Sequence, residues 1–165
     1  MFLGIDIGTS AVKVICTDGT AIHASASADL TVQSPQSGWS EQDPHAWWAA
    51  TCTALAEIGQ TRSLSEVTAI GLSGQMHGAV LLDSAHQVLR PAILWNDSRS
   101  IEECARLQAA LPEIGTIAGV QPLPGFTAPK LMWVARQEPD VHGRIAHVFL
   151  PKDYIGLRLN GGLAT

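Results

Sequence analysis

The sequence predicts an α/β fold in which helices flank a mixed sheet, and two observations lead to that prediction. Three strand-like segments follow one another at the start of the chain, joined by short polar turns. Beyond them, short apolar runs alternate with segments of helical pattern. An opening antiparallel meander followed by alternating strands and helices is typical of layered α/β domains. The length of 165 residues fits one domain.

The opening meander is predicted from apolar, β-branched runs that end at turn residues. We predict strands over Phe2–Ile7, Ala11–Thr17 and residues 21–32, with Asp18-Gly19 as a hairpin turn. A polar loop follows the third strand. Asp43 then precedes Pro44, and this pair predicts the N-cap and first residue of a helix. We place the end of that helix at Gly59, because glycine commonly terminates helices.

The rest of the chain predicts short strands alternating with helices. We expect one face of the second helix to carry Ile101, Cys104, Ala105 and Leu107. The predicted elements are strands over residues 67–72, 79–82 and 148–150, an extended piece over 91–95, helices beginning at 98 or 100 and covering 128–138, an irregular stretch over 112–125, and a last helix from Pro151 to Gly161.

Composition excludes several classes of function. The formal net charge is −5 and there is no basic stripe, so we expect no nucleic-acid partner. No apolar run reaches the ~18 residues of a membrane span, so we expect no membrane association. Met1 is not followed by a secretory signal pattern, which favours a cytoplasmic protein. The histidines and cysteines show no metal-ligand spacing, so we expect no structural metal.

The first polar turn, Asp6-Ile7-Gly8-Thr9-Ser10, follows an apolar strand. A carboxylate at the end of a strand can hold Mg²⁺ through water, and glycine lets backbone amides approach a phosphate. Lys13 could add a positive charge, or could simply face solvent. The same residue types are common in ordinary hairpin turns, so that alternative stays open.

A second polar turn, Ser73 to Gly78, follows a buried strand, which is where α/β sheets bind ligands. Its Gln75 and His77 offer donors and acceptors, although a loop histidine bonded to backbone is an equal alternative. Further on, Trp95 stands beside Asn96, Asp97 and Arg99. An indole next to these polar groups suits a polyol, while helix capping is the simpler explanation for this segment alone.

Taken together, these segments resemble a known family. The first phosphate loop of the actin, hexokinase and heat-shock chaperone ATPase superfamily is similar to Ile5-Asp6-Ile7-Gly8-Thr9-Ser10. The N-terminal signature of the FGGY carbohydrate kinases resembles Gly125-Phe126-Thr127-Ala128-Pro129-Lys130-Leu131-Met132-Trp133-Val134-Ala135-Arg136-Gln137. Within that family, the xylulokinase branch resembles the segments at residues 39–44, 73–78, 93–97 and 150–154.

The resemblance implies a ribonuclease-H-like domain, the fold of the actin-like ATPases, followed by a second, ATP-binding domain. It implies transfer of the γ-phosphate of ATP, with Mg²⁺, to D-xylulose in xylose catabolism, giving D-xylulose 5-phosphate. The partners would be a small sugar and ATP, and homodimer formation stays open.

The resemblance also implies roles for individual residues. Asp6 would act on Mg²⁺ through water and on phosphate. The hydroxyls of Thr9 and Ser10, beside Gly8, would approach the ATP phosphates. Lys13 matches a phosphate-binding arginine by charge only. The sugar would be bound by Met76 and His77, with Asn96, Asp97 and Arg99 on the substrate side.

The chain departs from the family in length, because FGGY kinases are roughly three times as long and have two or more domains. Their general base is an aspartate that would lie downstream. We therefore expect residues 1–165 to be the N-terminal part of an incomplete kinase, inactive in isolation. The alternatives are a non-catalytic sugar-binding fragment, a family kinase for glycerol, ribulose or gluconate, and an actin-like ATPase without a sugar substrate.

Overall fold

The protein is described here by a computed structural model that covers residues 1–164. By their internal contacts these residues form two compact units. The first unit comprises Met1–Val32, Asp43–Gln75 and the described part of Pro151–Thr165, and the second comprises Gln33–Gln42 and Met76–Leu150. The strands are β1 (Phe2–Ile7), β2 (Ala11–Thr17), β3 (Ile22–Asp29), β4 (Glu41–Gln42), β5 (Ala69–Gly74), β6 (Val80–Leu82), β7 (Ala92–Ile93) and β8 (His147–Phe149). The α-helices are α1 (Pro44–Thr61), α2 (Ile101–Ala110), α3 (Ile114–Ala118), α4 (Thr127–Gln137), α5 (Pro139–His142) and α6 (Pro151–Asn160).

The first unit is built on a mixed sheet of four strands in the order β3-β2-β1-β5. β1 pairs antiparallel with β2 and parallel with β5, and β2 pairs antiparallel with β3. The predicted opening meander and mixed sheet are therefore confirmed. The third strand is shorter than the predicted 21–32, because its pairing with β2 stops where Asp29 meets Ala11.

Alternation along the strands gives this sheet one buried face and one open face. Residues at alternate positions of β1 and β2 are buried: Leu3, Ile5, Ile7, Val12, Val14 and Cys16. Helix α1 packs on β2 and β3, and α6 packs on β1, β5 and α1. The intervening residues are exposed, as Phe2, Asp6 and Lys13 are, or half-buried. The period of two in the sequence thus places the polar residues of β1 and β2 on the open face.

The start of α1 is confirmed and its predicted end is wrong. Asp43 accepts a hydrogen bond from the His45 amide at 2.9 Å, which is an N-cap contact. The helix continues past Gly59 to Thr61, and the Arg62 amide donates to the Ile58 carbonyl at 3.0 Å. Gly59 does not adopt the left-handed conformation through which glycine ends a helix.

The second unit contains two small antiparallel sheets, β4 with β7 and β6 with β8. Helix α4 supplies Trp133 and Val134 to a core that also contains Ala79, Leu81 and Ile93. The strands and helices predicted in this part are present within a few residues. None of the described helices is both long enough and apolar enough to cross a membrane.

One prediction in the second unit is wrong. The stretch 112–125 is not wholly irregular, since it contains α3, which ends at Gly119 with a φ of 70°. The apolar face predicted for α2 is only partly packed, because Ile101 is 60% exposed while Cys104 and Leu107 are half-buried. The buried residue of α2 is instead Glu103, whose carboxylate lies 2.7 Å from Arg136.

Candidate functional site

The first polar turn is a close-packed loop after β1. The Gly8 amide donates to the Ala11 carbonyl at 3.0 Å. A Cβ at position 8 would lie 2.9 Å from that carbonyl oxygen, which is too close for any side chain. Glycine is therefore required here, and glycine is the residue that lets a loop backbone come close to a phosphate.

Gln75 holds this loop to the end of β5. Its amide donates to the Ile7 carbonyl at 2.8 Å, and its side-chain Nε2 donates to the Gly8 carbonyl at 3.3 Å. The Thr9 hydroxyl donates to Gln75 Oε1 at 3.3 Å. Two of the predicted phosphate-binding residues, Gly8 and Thr9, are thus fixed by a residue 66 or 67 positions away, while Ser10 is exposed.

Asp6, Lys13 and Ser73 meet on the open face of the sheet. Lys13 and Ser73 are the strand partners of Asp6 on its two sides. Asp6 Oδ1 accepts a hydrogen bond from the Ser73 hydroxyl at 2.8 Å. The three residues line a cavity of about 480 Å³ whose remaining walls are Gly4, Ile5, Ile15, Gly71 and Leu72. Lys13 therefore lies where its charge reaches the same cavity as the carboxylate.

The side-chain oxygens around Asp6 are few, which limits the way in which they could hold a magnesium ion. Among residues 1–164 no three His, Cys, Asp or Glu side chains are grouped closely enough to hold a metal. A single exposed carboxylate beside a hydroxyl fits Mg²⁺ that keeps most of its waters and takes further oxygens from a nucleotide. Asp6 is thus suited to a water-mediated contact.

In the second unit, the Met76-His77 turn presents two side chains of different character. Met76 is 64% exposed. His77 has a φ of 62°, a left-handed backbone that is rare for residues other than glycine. Its ring lies 4.6 Å from the ring of Phe126, centroid to centroid. An imidazole beside a phenyl ring offers both hydrogen bonds and an apolar wall.

Lys130 of α4 binds the backbone of this turn. Its side chain is fully buried, and Nζ donates to the His77 carbonyl at 2.6 Å and to the Gly125 carbonyl at 2.7 Å. Burial lowers the pKa of Lys130 to about 7. Burial, and secondly the charge of Lys130, also lower the pKa of His77 below its ordinary 6.5. His77 is therefore neutral at pH 7 and carries one donor and one acceptor nitrogen.

The Trp95-Asn96 segment lies against the loop before α4. A Cβ at Gly125 would come within 2.2 Å of the Trp95 carbonyl oxygen, so the two backbones touch. The Ser100 hydroxyl donates to the Pro124 carbonyl at 3.0 Å. Trp95 is 49% exposed and Asn96 is exposed as well, so both remain accessible beside this loop.

Asp97 and Arg99 have a different position from Asn96. Asp97 is 2% exposed and accepts hydrogen bonds from the Ser40 amide at 2.6 Å and from the backbone amide and two guanidinium nitrogens of Arg99. Arg99 also pairs with Glu41 at 2.7 Å, and its guanidinium carbon lies 3.7 Å from the centroid of the Trp39 indole. The polar atoms of the pair thus face protein groups, whereas Asn96 is exposed.

Sequence reasoning missed several residues of these two sites. Neither Lys130 nor Phe126 has a predicted role of its own. Both lie in the segment that carries the FGGY signature, and this is the signal that could have marked them. Ser73 and the loop-holding function of Gln75 carried no such signal, because their partners are distant in sequence.

Comparison with known proteins shows the family of the chain. Residues 1–165 match the family model described as the N-terminal domain of the FGGY family of carbohydrate kinases. The chain is 51% identical over 166 residues to the xylulose kinase of Escherichia coli K12, covering 100% of this chain and 34% of that protein. The chain thus spans about a third of the length of such relatives.

Solved structures show the same fold. The xylulose kinase of Rhodospirillum rubrum superimposes with a TM-score of 0.92 at 34% identity, covering 99% of this chain and 35% of that one. A structure from Brucella ovis described as a xyloylose kinase gives a TM-score of 0.90 at 50% identity, covering 94% and 33%. These similarities confirm the predicted α/β fold of the actin-like ATPases.

Proposed function

Because the chain belongs to the FGGY family of carbohydrate kinases, we propose that it forms the N-terminal domain of a D-xylulose kinase. The reaction would transfer the γ-phosphate of ATP to the terminal hydroxyl of the sugar and give D-xylulose 5-phosphate. Relatives of this name at 40–51% identity support the substrate. The observation that carries the proposal is the accessible Met76-His77 turn, which is backed by the Phe126 ring.

The second unit would bind the sugar. The neutral His77 ring can donate one hydrogen bond to a hydroxyl and accept another, as polyols require. Phe126 and Met76 provide apolar surface for the C–H faces of the sugar. Asn96 adds a carboxamide donor and acceptor. Asp97 and Arg99 would act on the sugar by holding the Asn96 segment in place through their buried pairing.

The first unit would bind the phosphates of ATP. The amides near Gly8 and the Ser10 hydroxyl would donate to phosphate oxygens, the Thr9 hydroxyl would do so by turning from Gln75, and Lys13 would add positive charge. Asp6 would orient waters on Mg²⁺, which when bound neutralises charge that develops on the transferred phosphoryl group. We place the general base outside this chain, since Asp97 is buried against Arg99 and Ser40.

Two variants, one in each proposed site, test the proposal in the full-length protein that contains this chain. His77→Ala should raise KM for D-xylulose about tenfold and leave KM for ATP within twofold, because it removes a hydrogen bond to a neutral substrate. Asp6→Ala should instead lower kcat at least about a hundredfold with little change in sugar KM.

The control is Asp140→Ala, which removes an exposed carboxylate on α5 and should leave all three constants unchanged. Higher kcat/KM for glycerol, L-ribulose or gluconate than for D-xylulose would reject the substrate. Equal loss of sugar and ATP affinity in His77→Ala would reject the assignment of the turn to the sugar.

A further inference from the structure

Lys130 is placed where a buried charge is costly. Its side chain is fully buried, and among residues 1–164 no carboxylate lies within ion-pair distance of its Nζ. Both of its hydrogen bonds go to backbone carbonyls, those of His77 and Gly125. An ammonium group buried without a paired anion destabilises the folded state compared with an apolar side chain of the same length. Packing alone therefore gives no reason for a lysine at this position.

The two carbonyls belong to the two segments that carry the rings of the site. His77 supplies the imidazole, and Gly125 immediately precedes Phe126, whose ring lies 4.6 Å from it. The segments are 53 and 5 residues from Lys130 in sequence, and Lys130 Nζ donates a hydrogen bond to a carbonyl of each. The same His77 carbonyl also accepts a longer hydrogen bond, 3.4 Å, from the Thr127 hydroxyl.

Neither segment can hold this arrangement by local preference. His77 has a φ of 62°, where a residue with a Cβ is strained and needs surrounding contacts to stay. Gly125 touches the Trp95 carbonyl so closely that no side chain fits. A hydrogen bond from Lys130 Nζ to each carbonyl provides a restraint that the local sequence does not.

We propose that Lys130 is a positioning residue for sugar recognition, which sets the spacing of the His77 and Phe126 side chains by binding the carbonyls of His77 and Gly125 at once. The proposal rests on the proposed function, since it takes the Met76-His77 turn as the sugar site. Lys130 itself touches no substrate in this scheme. Its effect on catalysis passes through the backbone of the turn.

The test compares Lys130→Met with His77→Ala in the full-length protein that contains this chain. Lys130→Met keeps the length of the side chain and removes the ammonium group. This variant should raise KM for D-xylulose about tenfold, because the turn loses the hydrogen bonds that restrain it. Its KM for ATP should stay within twofold of the wild-type value. Thr127→Val, which deletes only the 3.4 Å bond to the same carbonyl, should raise the sugar KM by less.

Two further variants separate positioning from loss of stability. Leu81→Ala truncates a buried residue of the same unit and should lower the denaturation midpoint without changing sugar KM. Lys130→Gln keeps a shorter neutral donor and should recover part of the affinity lost in Lys130→Met. If Lys130→Met does not yield folded protein, the sugar KM of Lys130→Gln is compared with that of the wild type. A raised sugar KM supports the inference, and an unchanged one overturns it.

A spectroscopic measurement decides the question without turnover. The three-bond amide coupling and chemical shifts of His77 report its φ, and in Lys130→Met they should lose the left-handed value or broaden. An unchanged His77 signal, or equal rises of sugar and ATP KM, would overturn the inference. So would an unchanged sugar KM in Lys130→Met alongside a raised one in His77→Ala, which leaves the proposed function standing. If neither variant changes sugar KM, it is the assignment of the turn to the sugar that fails, and the inference fails with it.

Discussion

Arg99 binds the carboxylate of Asp97 through two nitrogens, with Nε 2.9 Å from Oδ1 and Nη2 2.7 Å from Oδ2. Both side chains are almost completely buried. The arginine is stacked on Trp39 and also pairs with Glu41, which in turn pairs with Arg90. Asp97 therefore belongs to a buried network of ion pairs that stabilises the second unit.

Asp97→Ala should therefore destabilise the chain by about 3–5 kcal/mol, since it leaves the Arg99 charge buried with one partner fewer and the Ser40 amide without its acceptor. The measurement is the shift of the urea midpoint. Asp140→Ala is the matched control, because its carboxylate is exposed, and it should change stability by less than about 0.5 kcal/mol. Equal small shifts in both variants would show that the pair contributes nothing.

The strands of the first unit could be predicted because local sequence patterns are enough to define them. Alternation places Leu3, Ile5 and Ile7 in the core and Asp6 on the open face, and the turn residues mark where each strand ends. These are local patterns, and they require no knowledge of distant partners. The same locality explains the success at Asp43, whose capping bond spans two residues.

The sequence does not show the position of a side chain where a distant partner decides it. The resemblance places Asp97 and Arg99 on the substrate side, which stays a prediction, and Ser40 and Glu41, 57 and 58 residues away, bind these two side chains in the interior. Lys130 likewise finds its acceptor at His77, 53 residues away. No periodicity encodes such pairs, so only the family resemblance could point to them.

Gly125 gives a second prediction, because the space at its Cα is occupied. Gly125→Ala would bring a methyl group within 2.2 Å of the Trp95 carbonyl, so one of the two backbones must move. We expect a loss of stability of about 1–3 kcal/mol together with a raised KM for sugar. The readouts are the urea midpoint and steady-state kinetics in the full-length protein.

Gly59→Ala is the matched control for that substitution. Gly59 lies inside α1, and the nearest atom to an added Cβ is Leu64 Cδ1 at an ordinary 3.7 Å. Alanine there should raise stability by about 0.5–1 kcal/mol, because it lowers the entropy of the unfolded chain and favours the helix. A destabilised Gly59→Ala variant would contradict the helical continuation of α1 past this residue.

The buried ammonium group of Lys130 predicts a pH dependence of stability. Burial, opposed by the charge of Asp97 and reinforced by that of Arg99, lowers its pKa from 10.5 to about 7. Between these two values the unfolded chain keeps a proton that the folded chain has released. Since stability rises with pH wherever the unfolded state binds more protons, the contribution of Lys130 should increase from pH 7 toward pH 10.

The urea midpoints of the wild-type chain and of Lys130→Met, compared across this range, isolate that contribution, because the other titrating groups are common to both. The difference should shift in favour of the wild type by up to about 1.4 kcal/mol per pH unit, the limit for one proton. His77 does not contribute, since its lowered pKa places its titration below pH 6.5. A difference that stays constant from pH 7 to pH 10 would mean that Lys130 keeps its ordinary pKa. The hydrogen bonds to His77 and Gly125 would then compensate for the burial of the charge, and the destabilisation assigned to the buried ammonium group would not exist.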